Sequence, residues 1–419
     1  MQEKLVERFM RYTSITSESN SVNEEIPSTP GQRVLATVLA EELTKMGFVG
    51  VSVDQHSICI GHLPANDTAD FMGTIPTIGF VAHLDTVSVN LRPSIRPKRI
   101  TYTGGDICLN EEQQIMMKIS EHPELQNYIG QELLVTDGLS VLGADNKAAI
   151  ASIMTAMQMI LDTNTPHGDI YVAFVPDEEI GLRGSKKIDF SKFPVAFAYT
   201  VDSCELGEVV YETFNAGTAV VTIHGISAHP MSAKGVLVNP TLCAVDFINC
   251  FNRLATPENT AGTEGYIWPQ SMTSNQSQAI VTLNIRDHSK ILYEGKKDYV
   301  RKTVAFLQER YPRANVELSI EDTYGNIKDA LTEENKFCID YIYEAMDRLH
   351  ITPKTLAMRG GTDGSYISTK GIPTPNFFTG AHNFHSQFEF LPLPSFEKSC
   401  LMVMEIIKLV YEQGICNRK

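Results

Sequence analysis

Three short runs, IPTIGFVA (75–82), IYVAFV (170–175) and FAYTV (197–201), are predominantly apolar with no regular alternation. A strand with one solvated face alternates apolar and polar residues, so runs like these belong in a sheet buried on both faces. Segments of helical period stand around them. In GQRVLATVLAEELTKM (31–46), Val34, Leu35, Val38, Leu39 and Leu43 share one face and Gly47 supplies a stop. From Asp145, DNKAAIASIMTAMQMILDT repeats such a face through Ile150, Ile153, Met154, Met157 and Leu161. Strands alternating with helices predict an α/β fold, a mostly parallel twisted sheet flanked by helices.

At 419 residues the chain exceeds one ordinary core, and its rhythm changes midway. From about 208 to 322 it reads strand (218–224), helix (239–254), strand (278–286), helix (291–311) and strand (314–320), a compact α+β insert. Residues 333–348 are helical again, PTPNFFTG (373–380) reads as a strand and 394–413 as a last amphipathic helix. The expected organisation is a main domain in two segments, 1–207 and 323–419, interrupted by an insert at 208–322. The longest stretch without regular signal, 86–132, reads as an elaborated loop with a small hairpin around TYTGGDICL.

A formal net charge of −15 opposes the phosphate backbone, which excludes nucleic acid as a natural partner. The start, MQEKLVERFMRYTSITSES, is charged throughout and lacks the apolar core of a signal peptide. No stretch approaches the roughly 18 uninterrupted apolar residues of a membrane span, so a cytoplasmic location and no membrane partner are expected. Eight cysteines are scattered without a CxxC pair, and read as buried thiols in a reducing compartment.

In open α/β sheets ligands bind beyond the carboxyl ends of the strands. Residues of metal-ligand type stand at such places here. His83 and Asp85 end the first run and point to the same side, because side chains alternate along a strand. Asp177, Glu178 and Glu179 follow IYVAFV, Asp202 follows FAYTV, and His385 follows the C-terminal strand in AHNFHSQFEF. Asp145 opens the long helix after LGA. Singly, each has an ordinary explanation: Asp145 as a helix N-cap, the glutamates as solvated loop residues, the histidines as hydrogen-bonded structural groups. Five segments converging on one predicted cleft are better explained as a site. Imidazoles and carboxylates without cysteine suit zinc, with manganese or cobalt as substitutes. Two histidines and three carboxylates exceed one tetrahedral shell with an open position. Two metals roughly 3.5 Å apart sharing a carboxylate would use them all.

HLDT, GADNK, PDEEIG, TVD and NFH together resemble the peptidase T family, dizinc aminopeptidases acting on tripeptides, within the wider group of co-catalytic zinc carboxypeptidases and aminoacylases. RFMRYTSITSES, IPSTPGQRVLATVLAEELTKMG, AKGVLVNP and MRGGTDGS carry the likeness in order along nearly the whole chain. The resemblance implies two zinc ions per subunit. His83 and Asp202 are then terminal ligands, Asp145 bridges, and Glu179 and His385 hold the second zinc with it. Asp85 is implied to hydrogen-bond His83 and fix its tautomer. Glu178 is implied to be the general base that takes a proton from the attacking water and passes it to the leaving amine. The insert is implied to serve as a lid and dimerisation domain of a homodimer. Its His229 would stabilise the oxyanion, delivered to the partner's active site, while Arg286 and Arg359 would bind substrate carboxylate or carbonyl oxygens.

The chain departs from that pattern in two places. Asn146 follows the bridging aspartate where the family commonly has a second acid, which removes a negative charge beside the metals. Ser203 and Cys204 follow Asp202 where glycines are usual, so they would narrow the pocket or bring a thiol near the metal. The function expected is a zinc-dependent aminopeptidase releasing the N-terminal residue of short peptides, above all tripeptides. A dipeptidase or N-acyl amino acid hydrolase is the alternative. A non-catalytic metal-binding dimer is a remote one, since a binding module needs ligands but no free carboxylate such as Glu178 beside them.

Overall fold

The structure, a computed structural model, describes residues 1–66 and 75–416. The chain divides into two compact units. The first comprises Met1–Tyr211, Ala330–Leu356 and Thr362–Lys419, and the second Glu212–Asp329 with Ala357–Gly361.

The first unit is built on an eight-stranded sheet in the order Val49–Val53, Cys59–Leu63, Ile170–Val175, Ile78–His83, Phe197–Ser203, Asn376–Phe378, Glu208–Thr213 and Lys354–Met358. Its centre is parallel: the strands ending at Val175, His83, Ser203 and Phe378 run side by side in one direction. The strands flanking this centre, Cys59–Leu63 and Glu208–Thr213, are antiparallel. All six residues of Ile78–His83 are buried. One face packs Phe80, Phe174 and Tyr199 against Leu39, Ile153 and Val403 of three helices, Pro30–Met46, Ala144–Asp162 and Leu393–Cys416. The other packs Val81, Ala173 and Ala198 against Phe193 and Ile367. At about 1.5–3 kcal/mol for each large apolar side chain fully buried, this two-sided core sets which way every central strand faces. Gly47 ends the helix Pro30–Met46 in the left-handed conformation (φ 93°), its N–H bonded back to the last turn.

Several local expectations are revised. The strand expected at 373–380 shrinks to Asn376–Phe378, because Pro373 and Pro375 have no N–H to give a ladder. The hairpin expected around TYTGGDICL does not close on itself. Lys98–Thr101 pairs with Glu132–Val135, while Ile107–Asn110 pairs with Ile115–Met117. Gly104 and Gly105, at φ 102° and 79°, turn the chain between the two ladders. Of the seven cysteines described, all free, Cys59, Cys243, Cys338 and Cys400 are buried and Cys204 and Cys250 half-buried. Cys108 is exposed, on the outward side of a strand whose burial alternates. The Cys416 side chain lies outside the described residues.

The second unit has a four-stranded antiparallel sheet in the order Tyr266–Ser274, Gln278–Asp287, Asn215–His224 and Asn315–Tyr324. Burial alternates strictly along Gln278–Asp287, as a sheet covered on one face requires. Two helices supply the cover: Pro240–Ile248, capped by the Asn239 side chain, and Lys290–Arg310, capped by Ser289. Val221, Ile223, Phe247, Val281, Leu283 and Leu307 form its core. Among the described residues no helix is long and apolar enough to cross a membrane.

Candidate metal centre

The central strands deliver their carboxyl ends to one place. His83 is the last residue of its strand and Asp202 the last but one of the neighbouring strand. Asp145 comes from the opening of the helix Ala144–Asp162, where its backbone (φ −83°, ψ 96°) is not helical and its side chain caps nothing. His385 and Asp177 both sit in the left-handed region, at φ 62° and 56°. Non-glycine residues hold such angles only where surrounding contacts impose them, and functional sites are where they cluster.

Two groups of three side chains lie close enough to hold a metal ion each: His83, Asp145 and Asp202, and Asp145, Glu179 and His385. The shared residue uses one oxygen for each. His83 Nε2 is 2.8 Å from Asp145 Oδ1, and His385 Nε2 is 2.9 Å from Asp145 Oδ2. His83 Nε2 also lies 3.6 Å from Asp202 Oδ1, and His385 Nε2 2.9 Å from Glu179 Oε1. Glu178 and Asp85 stand outside both groups, as does Cys204.

Electrostatics test whether this donor set fits metal ions. Burial would raise the Asp145 carboxyl, but hydrogen bonds with His385 and His83 hold it well below its usual range. Burial pushes Asp202 up to about 6, and burial together with the Asp145 charge pushes Glu179 up to about 7. Against burial, which lowers it, the bonds to Asp145 and Glu179 push His385 up to about 11. Burial first, then the charges of Asp202, Asp363 and Glu179, outweigh the pull of His83 and hold Glu178 well above the carboxylate range. Such a cluster retains protons unless cations replace them. Glu179 Oε1 is buried, and the polar group beside it is His385 Nε2 of its own triad, 2.9 Å away. The residues present therefore fit a pair of divalent cations.

The surroundings assign partners that the sequence did not suggest. Asp85 was expected to hydrogen-bond His83 with its carboxylate. In the structure His83 Nδ1 is nearer to the backbone oxygen of Asp85, 3.0 Å, than to its Oδ1, 3.4 Å. The carboxylate also accepts the N–H groups of Glu178 (3.0 Å) and Glu179 (3.2 Å). Asp177, fully buried, is caged from the other side. Its carboxylate accepts from Ser28 N–H (2.7 Å) and Gln32 Nε2 (2.6 Å), and its own N–H donates to Gln32 Oε1 (2.9 Å). Nothing local in the sequence marks Ser28 or Gln32 for this task. Asn146 donates both amide hydrogens, to Asp202 Oδ1 (2.7 Å) and to the Val201 carbonyl (2.8 Å). An aspartate there could not do so while ionised. Ser203 turns its hydroxyl to Asn376.

His229, Arg286 and Arg359 lie in the second unit. His229 is exposed, its Nδ1 accepting the Met231 N–H. Arg286 donates to the carbonyls of Gly217 and Ile285 and lies 5.8 Å from the centre of the Tyr324 ring. Arg359 donates to the carbonyls of Gly262 and Glu264 and to Thr260 Oγ1, with its guanidinium over Phe214.

Comparison with known proteins agrees with this architecture. Residues 143–409 match the model of peptidase family M20/M25/M40. A peptidase T-like protein of Yersinia pestis is 49% identical over 399 residues, 95% of this chain and 96% of the relative. Peptidase T of Bacillus velezensis is 41% identical over 416 residues, 99% of this chain and 100% of the relative. The crystal structure of aminopeptidase PepT from Bacillus cereus superposes with a TM-score of 0.74 at 22% identity, covering 98% of this chain and 99% of that one. With two triads that could each hold a metal ion sharing one aspartate at the ends of its central strands, this chain belongs to the M20/M25/M40 peptidase family and, within it, to the peptidase T group.

Proposed function

We propose that this peptidase is a two-metal aminopeptidase that releases the N-terminal residue of tripeptides. The observation that carries the reading is Asp145, whose two oxygens face His83 and His385 separately, which favours two metal positions over one. His83, Asp145 and Asp202 would hold one ion, and Asp145, Glu179 and His385 the other. The nitrogen and oxygen donors favour zinc, with manganese or cobalt as substitutes. Such ions supply Lewis-acid polarisation of the scissile carbonyl and acidify the attacking water.

The remaining chemistry falls to the chain itself. Glu178 adjoins the ligand Glu179 yet belongs to neither triad, and burial raises its proton affinity. It therefore suits the general base that takes a proton from water and returns it to the leaving amine. Asp85 holds the backbone of this loop. In the second unit, an inserted lid and dimerisation domain, Arg286 and Arg359 would bind carboxylate or carbonyl oxygens of the peptide. His229, exposed and lightly held, would reach the partner subunit's active site in a homodimer and stabilise the oxyanion. The seven free thiols among the described residues support a reducing, cytoplasmic setting.

A panel of tripeptides, dipeptides and N-acyl amino acids, assayed with and without a chelator, tests the proposal. Tripeptides should be cleaved at the first bond and activity should vanish with the chelator. Preference for dipeptides or acylated amino acids would reassign the substrate, and chelator-resistant cleavage would overturn the mechanism.

A further inference from the structure

One buried carboxylate beside the triads belongs to neither of them. Glu389 is 1% exposed, four residues beyond His385, and both of its oxygens are engaged. Oε2 accepts the N–H groups of Leu142 (2.6 Å) and Gly143 (2.9 Å), and Oε1 accepts the N–H of Asp145 (3.2 Å). These donors lie at the opening of the helix Ala144–Asp162, where amide groups have no partner inside the helix. The N-cap position is Gly143, at φ 71°, which has no side chain to offer. Glu389 thus caps that helix from the far end of the chain.

The same segment carries a ligand. Main-chain hydrogen bonds between His382 and Phe390, 2.9 and 3.2 Å, close the loop in which His385 stands, with Glu389 at its base. The piece of backbone that presents the second histidine therefore also grips the backbone that presents the shared aspartate. Both Glu389 oxygens face N–H donors, so it is not arranged as a further ligand.

We propose that Glu389 is a positioning residue of the metal pair: by binding the Leu142, Gly143 and Asp145 amides it sets the backbone from which Asp145 offers one oxygen to each triad, and ties that backbone to the His385 loop. The proposal rests on reading Asp145 as the shared ligand. Coordinated carboxylates depend on such surrounding bonds for their orientation, and removing one weakens metal binding by roughly 10- to 100-fold.

Glu389→Gln separates this role from ordinary capping. The amide keeps an acceptor for Leu142 and Gly143, but its NH2 would meet the Asp145 N–H donor to donor, so the loss falls on the shared ligand. Full-length wild type and variant are stripped with a chelator, then titrated with zinc against a competing chelator while melting temperature is followed. The expected result is two ions bound by both proteins, about 10- to 100-fold more weakly by the variant, with a melting temperature that falls more for the loaded protein than for the stripped one. Affinity equal to wild type overturns the proposal. So does a stripped variant destabilised as much as the loaded one at unchanged affinity, because Glu389 would then be a structural cap only. If the stripped variant does not fold, recovery on adding zinc supports the role and failure to recover overturns it. Wild type that binds no metal pair would overturn the metal centre as well, which keeps the two failures apart.

Discussion

The carboxylate of Asp85 accepts the backbone N–H of Glu178 at 3.0 Å, and with its other oxygen that of Glu179 at 3.2 Å. The acid two residues past the first histidine is thereby joined to the loop that carries both the proposed base and a proposed ligand. Its nearest approach to the His83 ring is through its backbone carbonyl.

Asp85→Ala should therefore damage two things at once. Metal affinity should fall roughly 10- to 100-fold, the usual cost of removing a group that orients a ligand. Turnover at saturating metal should fall further, because the Glu178 and Glu179 amides lose their acceptors. His83→Ala, in contrast, should empty a site. Chelator competition and kcat measured on the same preparations decide it. Equal metal loss from both substitutions would make Asp85 a direct ligand.

Glu178→Ala should retain both metals while losing about three or more decades of kcat, since it removes proton transfer and leaves both triads complete. Metal analysis alongside a tripeptide assay gives the answer. If metal departs with the activity, Glu178 is a ligand.

Metal removal should interact with pH in a defined direction. In the stripped protein, burial and Asp145 hold Glu179 up to about 7, and bonds to Asp145 and Glu179, against burial, hold His385 up to about 11. Both groups bind protons more tightly folded than unfolded. Their contributions are thus complete below the ordinary values of 4.5 and 6.5 and are lost as pH rises through about 7 and about 11. Metal binding runs the other way, because the ligands must release those protons. The gap between the melting temperatures of loaded and stripped protein should widen from about pH 5 to about pH 8. Calorimetry at fixed free metal measures it, and a gap that narrows would contradict the proton inventory of the cluster.

Subunit complementation tests the role given to His229. Chains carrying His229→Ala and Glu178→Ala, each nearly inactive alone, are mixed under conditions that exchange subunits. In a crossed dimer one active site carries both lesions and the other neither, so about half the activity of each mixed dimer should return. Demonstrated exchange without recovery would place the action of His229 within its own subunit or remove it from the reaction.

What the sequence determined by itself was the frame. Unalternating runs such as IPTIGFVA and IYVAFV can be satisfied only inside a sheet covered on both faces, and such a sheet brings the ends of its central strands together. That is why His83, Glu179 and Asp202 could be singled out from their places after apolar runs, and why the resemblance could then supply roles for them. Periodicity and spacing report burial, which is a local pattern. They do not report which donor meets which acceptor, because that depends on how distant segments dock. Tertiary structure alone decided that Asp85 serves the Glu178 loop and that Ser28 and Gln32 cage Asp177. It likewise split the expected TYTGGDICL hairpin between two separate ladders. Glu389 shows the limit most clearly: read along the chain it is one acid in FEF, and only packing against the Asp145 turn engages both of its oxygens.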